Sequence, residues 1–282
     1  MKSQRFAVLL AALPLAASAQ DAAKVDLRHY KVLVDNAAVR VLKIEVPAGE
    51  KSPMHSHPDA MLIVLSGGKA RFTMPDGKTQ DSELVKETAA YTPASTHAPA
   101  NVGTTAVEAV LVEFKTAAPG TATLPTSRPG IQSTLLAESP RAVAIKATAG
   151  ADFAEAAGTT HEYDQVVIAL GAANLTLAVD GKPAVTSWKR GDAQFIGRGV
   201  KHESKNSGGK PVDMVIVAIR VMKSTFASSG RRAICSTAAP TCATSISGST
   251  CTRPSACGTP RAIFAASAVS ALPMSICPHA MS

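Results

Sequence analysis

Short apolar runs and clusters of turn-forming residues alternate along this chain, and no segment has a helical period. Residues 39–46 are rich in β-branched and aliphatic side chains and break at Pro47-Ala48-Gly49. Residues 61–65 form a continuous apolar run closed by Gly67-Gly68. Residues 69–74 alternate up to Pro75-Asp76-Gly77, a turn in which proline presets φ and glycine accepts a positive one. Residues 107–115 read as a long closing strand. Many short strands between turn signals predict an all-β sandwich or small barrel.

The pattern then returns. The segment from His57 to Gly67 aligns with His161 to Gly171 after 104 residues, and His97 with Asn101 aligns with His202 and Asn206 after 105. Residues 109–115 answer to 214–220 at that same shift. A repeat of this length is two copies of one domain, since a solenoid unit is far shorter. Residues 20–35 read as an N-terminal arm, 36–116 as the first domain, 117–136 as a proline- and glycine-bearing linker and 137–222 as the second domain. His29, in the arm beside Arg28 and Tyr30, reads as a surface histidine.

Composition changes the picture at the two ends. Lys2 and Arg5 precede an apolar run from Phe6 to Leu15, and Ala17-Ser18-Ala19 follows. That is the makeup of a secretory signal peptide over residues 1–19, so the expectation is a periplasmic or secreted protein. No later segment is long and apolar enough to span a membrane. Residues 223–282 are rich in Ser, Thr, Ala, Cys, Pro and Arg, contain all five cysteines and no acidic residue, and are expected to stay disordered. This tail holds +5 of the net charge of +8, and residues 1–19 hold +2. The body is therefore near neutral and carries no electrostatic footprint for nucleic acid.

The candidate chemistry lies in the histidines, five of whose seven occupy the repeated positions. In an extended chain, residues i and i+2 share a face, so His55 and His57 aim both rings at one point. If the strands wrap into a barrel, His97 joins them. Three neutral imidazoles suit iron, zinc, copper or nickel, and leave open positions for a substrate anion and oxygen. Met61 and Asp59 are weaker candidates for a further ligand, and in the second copy His161, Gln165 and His202 form a poorer set. Glu50, Glu87, Asp59 and Tyr91 lie near the motifs and read as solvated loop residues, which leaves no obvious general base.

At these residues the chain resembles the cupin superfamily, and the doubled copy resembles a bicupin. The family's first motif is G-x5-H-x-H-x3,4-E-x6-G; Gly49, His55, His57 and Gly68 match it, while Met61 stands at the glutamate position. In the second motif, G-x5-P-x-G-x2-H-x3-N, the first copy keeps Pro93, His97 and Asn101, with Glu87 at the leading glycine. The second copy keeps Gly191, Gly199, His202 and Asn206, with Gly197 for proline, and in its first motif keeps His161, with Thr159 for the other histidine and Gln165 for glutamate. The resemblance implies two tandem jelly-roll (double-stranded β-helix) barrels over roughly residues 36–222. It also implies a divalent Fe, Zn, Cu, Ni or Mn ion at His55, His57 and His97, and a degenerate, chiefly structural second half. The activity it implies is dioxygenase-like turnover of a small molecule, and the alternative is a non-catalytic periplasmic module that binds a small ligand or metal. Two barrels in one chain reproduce what single-barrel relatives achieve by pairing, so a monomer or homodimer is expected.

Overall fold

A computed structural model describes residues 20–115, 128–180 and 182–220. The expected signal peptide and tail, and most of the expected linker, lie outside the described residues.

The first half holds a four-residue helix α1 (Ala22–Val25) and nine strands: β1 (Tyr30–Asp35), β2 (Val39–Val46), β3 (His55–His57), β4 (Ala60–Ser66), β5 (Gly68–Thr73), β6 (Thr79–Leu84), β7 (Ala89–Thr92), β8 (Ser95–Asn101) and β9 (Val107–Phe114). They form an antiparallel five-stranded sheet, β1-β2-β9-β4-β7, and a four-stranded sheet, β3-β8-β5-β6. The second half repeats the plan with β10 (Ile131–Glu138), β11 (Ala142–Ala149), β12 (Ala154–Thr159), β13 (Asp164–Ala169), β14 (Leu175–Val179), β15 (Ala193–Ile196), β16 (His202–Asn206) and β17 (Val212–Ile219). Its sheets run β10-β11-β17-β13-β15 and β12-β16-β14. The protein is thus all-β, with two jelly-roll barrels in tandem. No helix among the described residues is long and apolar enough to cross a membrane.

Both barrels begin earlier than the sequence suggests. β1 lies in the expected arm yet pairs along β2, and β10 begins inside the expected linker and pairs along β11. Each is an edge strand with several exposed positions, so its apolar pattern is diluted.

The two five-stranded sheets bury both faces. On β4, Ala60 belongs to the first barrel's interior cluster with Leu62 packed against it, whereas Met61, Ile63 and Leu65 join a second cluster. That cluster also takes Val110, Val112 and Phe114 from β9, and Val166, Ile168, Val215 and Val217 from the other barrel. It is the core between the barrels, and its members are almost fully buried. A strand covered on both sides loses its alternation, which is why β4 and β9 read as unbroken apolar runs. Ion pairs rim this core: Lys146 Nζ lies 2.6 Å from Glu87 Oε2, and Arg190 meets Glu108. Glu87 has φ +60°, so the backbone there takes the left-handed form that the motif's glycine accommodates. Gly191 keeps that form in the second barrel with φ +81°, and a Cβ on it would meet Leu65 at 2.9 Å.

Candidate metal centre

Strand pairing sets the first site. His55 lies opposite His97 across β3 and β8, and His57 follows two residues on, so all three rings enter the barrel from one face. His55 is fully buried and His57 nearly so. The ring centroids of His55 and His57 are 4.7 Å apart, those of His55 and His97 5.2 Å, and those of His57 and His97 5.5 Å. One ligand nitrogen from each ring lies within 4.8 Å of the other two. Nitrogens about 2.1 Å from a shared ion sit roughly 3–3.5 Å apart, so a modest contraction closes the shell.

Each ring is oriented through Nδ1. His55 Nδ1 donates to the Pro53 carbonyl at 2.8 Å, and His57 Nδ1 to Glu113 Oε1 at 2.7 Å. His97 Nδ1 lies 3.3 Å from the Ser95 hydroxyl. The Nε2 atoms are left as the donors, the arrangement in which outer hydrogen bonds fix the tautomer of a metal-ligating histidine. Burial, with the charges of His57 and His55, pushes the pKa of His97 down to about 4. Burial and His57 also lower that of His55. Both rings are therefore neutral near pH 7, as metal binding requires.

Glu113 is the residue that sequence reading missed. It projects into the barrel from β9, opposite Ala60, and is 1 % exposed. Burial alone would raise its pKa, but hydrogen bonds from His57 and from Arg40 (Nε, 2.6 Å) outweigh that and lower it. Arg40 in turn pairs with Asp21. A lone carboxylate inside the apolar stretch 109–114 was the available signal, since an unpaired buried charge is rarely tolerated.

The weaker candidates do not join the first site. Met61 points out of the barrel into the core between the sheets, because period 2 turns it away from the inward-facing Leu62. Asp59 Oδ1 accepts the Ala94 amide at 2.9 Å, and its other oxygen lies 3.5 Å from Arg141. His29 is not at the surface: it is 3 % exposed, with Nδ1 at 2.6 Å from Asp26 and Nε2 at 2.9 Å from Glu50. Glu50 is therefore anchored rather than free. Tyr30, beside His29, brings its hydroxyl to 3.3 Å from His55 Nε2.

His57 and His97 open on a cavity of about 430 Å³, walled mainly by apolar groups that include Leu62, Phe72, Met74, Leu84 and Leu111. No Asp, Glu, Lys or Arg lines it among the described residues. The expectation of a substrate anion therefore finds no cationic side chain to receive one.

In the second barrel, His161 and His202 come together with Glu155, a residue sequence reading passed over. Gln165, expected there, is buried, but its side-chain oxygen accepts from Arg128 Nη2 at 3.0 Å. Its partner on β17 is Ala218, the counterpart of Glu113, so Gln165 occupies the place of Ala60. The two copies of this strand are thus offset by 105 residues, one more than the sequence alignment used. One residue is enough to exchange the faces of a strand.

Each half is a barrel of two facing sheets, and in the first a His-x-His strand pairs across from a third histidine, an arrangement similar to that of solved cupin domains. No protein-family model matches the sequence, and no curated protein matches it. Among solved structures, a cupin domain from Bordetella pertussis Tohama I is 25% identical, covering 31% of this chain and 92% of its own, with a TM-score of 0.29. A mutant of oxalate decarboxylase from Bacillus subtilis is 11% identical over 68% of this chain and 72% of its own, with a TM-score of 0.49. A mutant of salicylate 1,2-dioxygenase from Pseudoaminobacter salicylatoxidans is 12% identical over 64% of this chain and 71% of its own, with a TM-score of 0.47. The last two are likenesses of fold.

Proposed function

We propose that the first barrel holds a divalent transition metal on His55, His57 and His97 and acts on a small, uncharged, largely apolar molecule as a metal-dependent dioxygenase. The observation that carries this reading is a cluster of three Nδ1-anchored imidazoles, two of which line a cavity of about 430 Å³. Iron, zinc, copper or nickel fits an all-imidazole donor set better than a harder ion such as manganese. When bound, such an ion supplies Lewis acidity and, if redox-active, a path for electrons to oxygen. The chain's own residues do the rest. Pro53, Glu113 and Ser95 hold the rings, and the apolar walls exclude water from the reacting molecule. Tyr30 keeps a hydroxyl beside His55, where it can donate a hydrogen bond into the site.

One observation favours a second reading, a non-catalytic module that binds a small ligand. Among the described residues the cavity offers no carboxylate or lysine to carry a proton. We further propose export to the periplasm or beyond, resting on residues 1–19. We also propose a monomer, supported by the way each five-stranded sheet covers the other's outer face.

Metal analysis of the purified chain, followed by oxygen-uptake assays, tests the reading. The expected result is metal-dependent uptake with neutral phenols or diketones in preference to small carboxylates, together with one ion per chain lost in His97→Ala. Saturable ligand binding with no uptake selects the binding module. Unchanged metal content in a folded His97→Ala variant overturns the three-histidine metal site.

A further inference from the structure

The second barrel keeps a set of donors that its sequence motif does not describe. We propose that Glu155, His161 and His202 form a second, closed metal site, in which a carboxylate from β12 replaces the lost motif ligands and the ion has a structural role. The geometry starts from strand pairing. Thr159 lies opposite His202 as His55 lies opposite His97, and its hydroxyl turns away to the Ala156 carbonyl at 2.8 Å. A register shift along β12 separates it from Glu155, which pairs with Ser204 two residues beyond His202. Glu155 Oε2 lies 3.5 Å from His202 Nε2, and Oε1 lies 3.9 Å from His161 Nε2. The three ligand atoms all fall within 4.8 Å of one another.

An independent observation also points to an ion. Nε2 of His161 and Nε2 of His202 are both buried without a hydrogen-bond partner. The His202 side chain has no exposed surface at all. Buried polar atoms are rarely left unpaired, because their lost hydration goes uncompensated. Here two such nitrogens converge on one carboxylate, and a bound cation would satisfy all three. The supporting contacts suit that role. His202 Nδ1 is 3.2 Å from the Val200 carbonyl, which leaves Nε2 as its donor, and Ser204 Oγ donates to Glu155 Oε2 at 2.6 Å. The His161 ring stacks on Tyr163 at 5.5 Å.

Two features set the character of the site. Arg128 places Nη1 3.7 Å from Glu155 Oε1, so a fixed positive charge opposes the ion and weakens its binding. The neighbouring cavity, lined by Ile131, Phe153 and Leu175 among others, has only about 20 Å³, against about 430 Å³ in the first barrel. Roughly 10–15 Å³ on this measure admits one water, so the space holds an ion with at most a water and no substrate. Two imidazoles and a carboxylate suit zinc, cobalt or ferrous iron.

The test is cobalt(II) titration of the full chain, read by equilibrium dialysis and by the metal's visible absorption. The only tryptophan, Trp188, is buried in the second barrel, so its fluorescence follows that barrel's unfolding. Wild type should bind two ions per chain. The His55→Ala/His97→Ala variant should keep one, and that ion should raise the temperature of the Trp188 transition. Glu155→Gln, in either background, should weaken this ion about tenfold or more. Loss of all binding in a folded His55→Ala/His97→Ala chain, or binding indifferent to Glu155→Gln, overturns the proposal and leaves the first site's reading intact. If the double substitution does not fold, Glu155→Gln in the wild-type chain decides the matter: one of the two ions must bind about tenfold or more weakly, and two ions of unchanged affinity overturn the proposal.

Discussion

Glu113→Gln isolates the group on which the first site's geometry depends. Glu113 accepts from His57 Nδ1 at 2.7 Å with one oxygen and from Arg40 Nε at 2.6 Å with the other, at 1 % exposure. The amide is nearly isosteric but has a single acceptor. Whichever donor it keeps, its NH2 group confronts the other. Leaving a buried donor unsatisfied costs about 1–3 kcal/mol. Breaking a buried ion pair by removing one partner costs about 3–5 kcal/mol. Arg40 retains Asp21, so the lower part of that range applies, and we expect a loss of about 3 kcal/mol in denaturant unfolding of the metal-free protein. A second effect falls on the ring. With its Nδ1 partner neutral, the His57 ring is less firmly held, and removal of such an outer partner typically weakens metal binding about 10–100-fold. Zinc titration against a chelator of known affinity reads this directly. A Glu113→Gln protein with wild-type stability and wild-type zinc affinity would refute the reasoning at both points.

Two further predictions concern the face of β4 and the charge state of the rings. Met61→Glu restores the motif's letter but buries a carboxylate between the sheets, where a pKa rise of some 3–5 units keeps it protonated at a cost of about 3–4 kcal/mol at pH 7; it should destabilise the fold by at least that much, while Leu62→Glu, facing the cavity, should fold and tighten zinc, as measured by denaturant unfolding followed by circular dichroism and by zinc titration. The metal-free protein should lose stability as pH falls from about 6.5 to 4, because His97 and His161 stay neutral down to about 4 when folded and take up protons near 6.5 when unfolded. Each of these two contributes up to about 3 kcal/mol across that window. His202, whose pKa Glu155 raises, works in the opposite sense, and urea midpoints that stay flat over this range would contradict the assignment.

Much of the fold was legible because it is written twice. The repeated histidines and the runs on β4, β9, β13 and β17 mark the central strands, whose double burial makes them conspicuous. Edge strands β1 and β10 were lost to the arm and the linker because their side chains are partly solvated and show neither a clean run nor a clean alternation. The convergence of His55, His57 and His97 followed from period 2 and one strand pairing. The burial of His29 did not, since its partners Asp26 and Glu50 are brought to it by a turn and by a loop 21 residues away.

The carboxylates were the hardest part to read, and the reason is physical. A motif position fixes chemistry only if its side chain points inward, and direction reverses with each residue along a strand. Counting from His57 places Met61 at the glutamate position, but pairing with β9 turns that position outward. Ala60 is the inward neighbour, and its small side chain leaves the space that Glu113 enters from the adjacent strand. In the second barrel the equivalent place is taken by Gln165, which is bound to Arg128, and the acid instead approaches from β12 as Glu155. The buried imidazoles that give each barrel its ligands also favour a carboxylate nearby, and this need can be met from any strand whose inward face reaches the rings. In this chain each barrel meets it from a different strand, so the acidic partner follows from sheet pairing where the histidines follow from the motif.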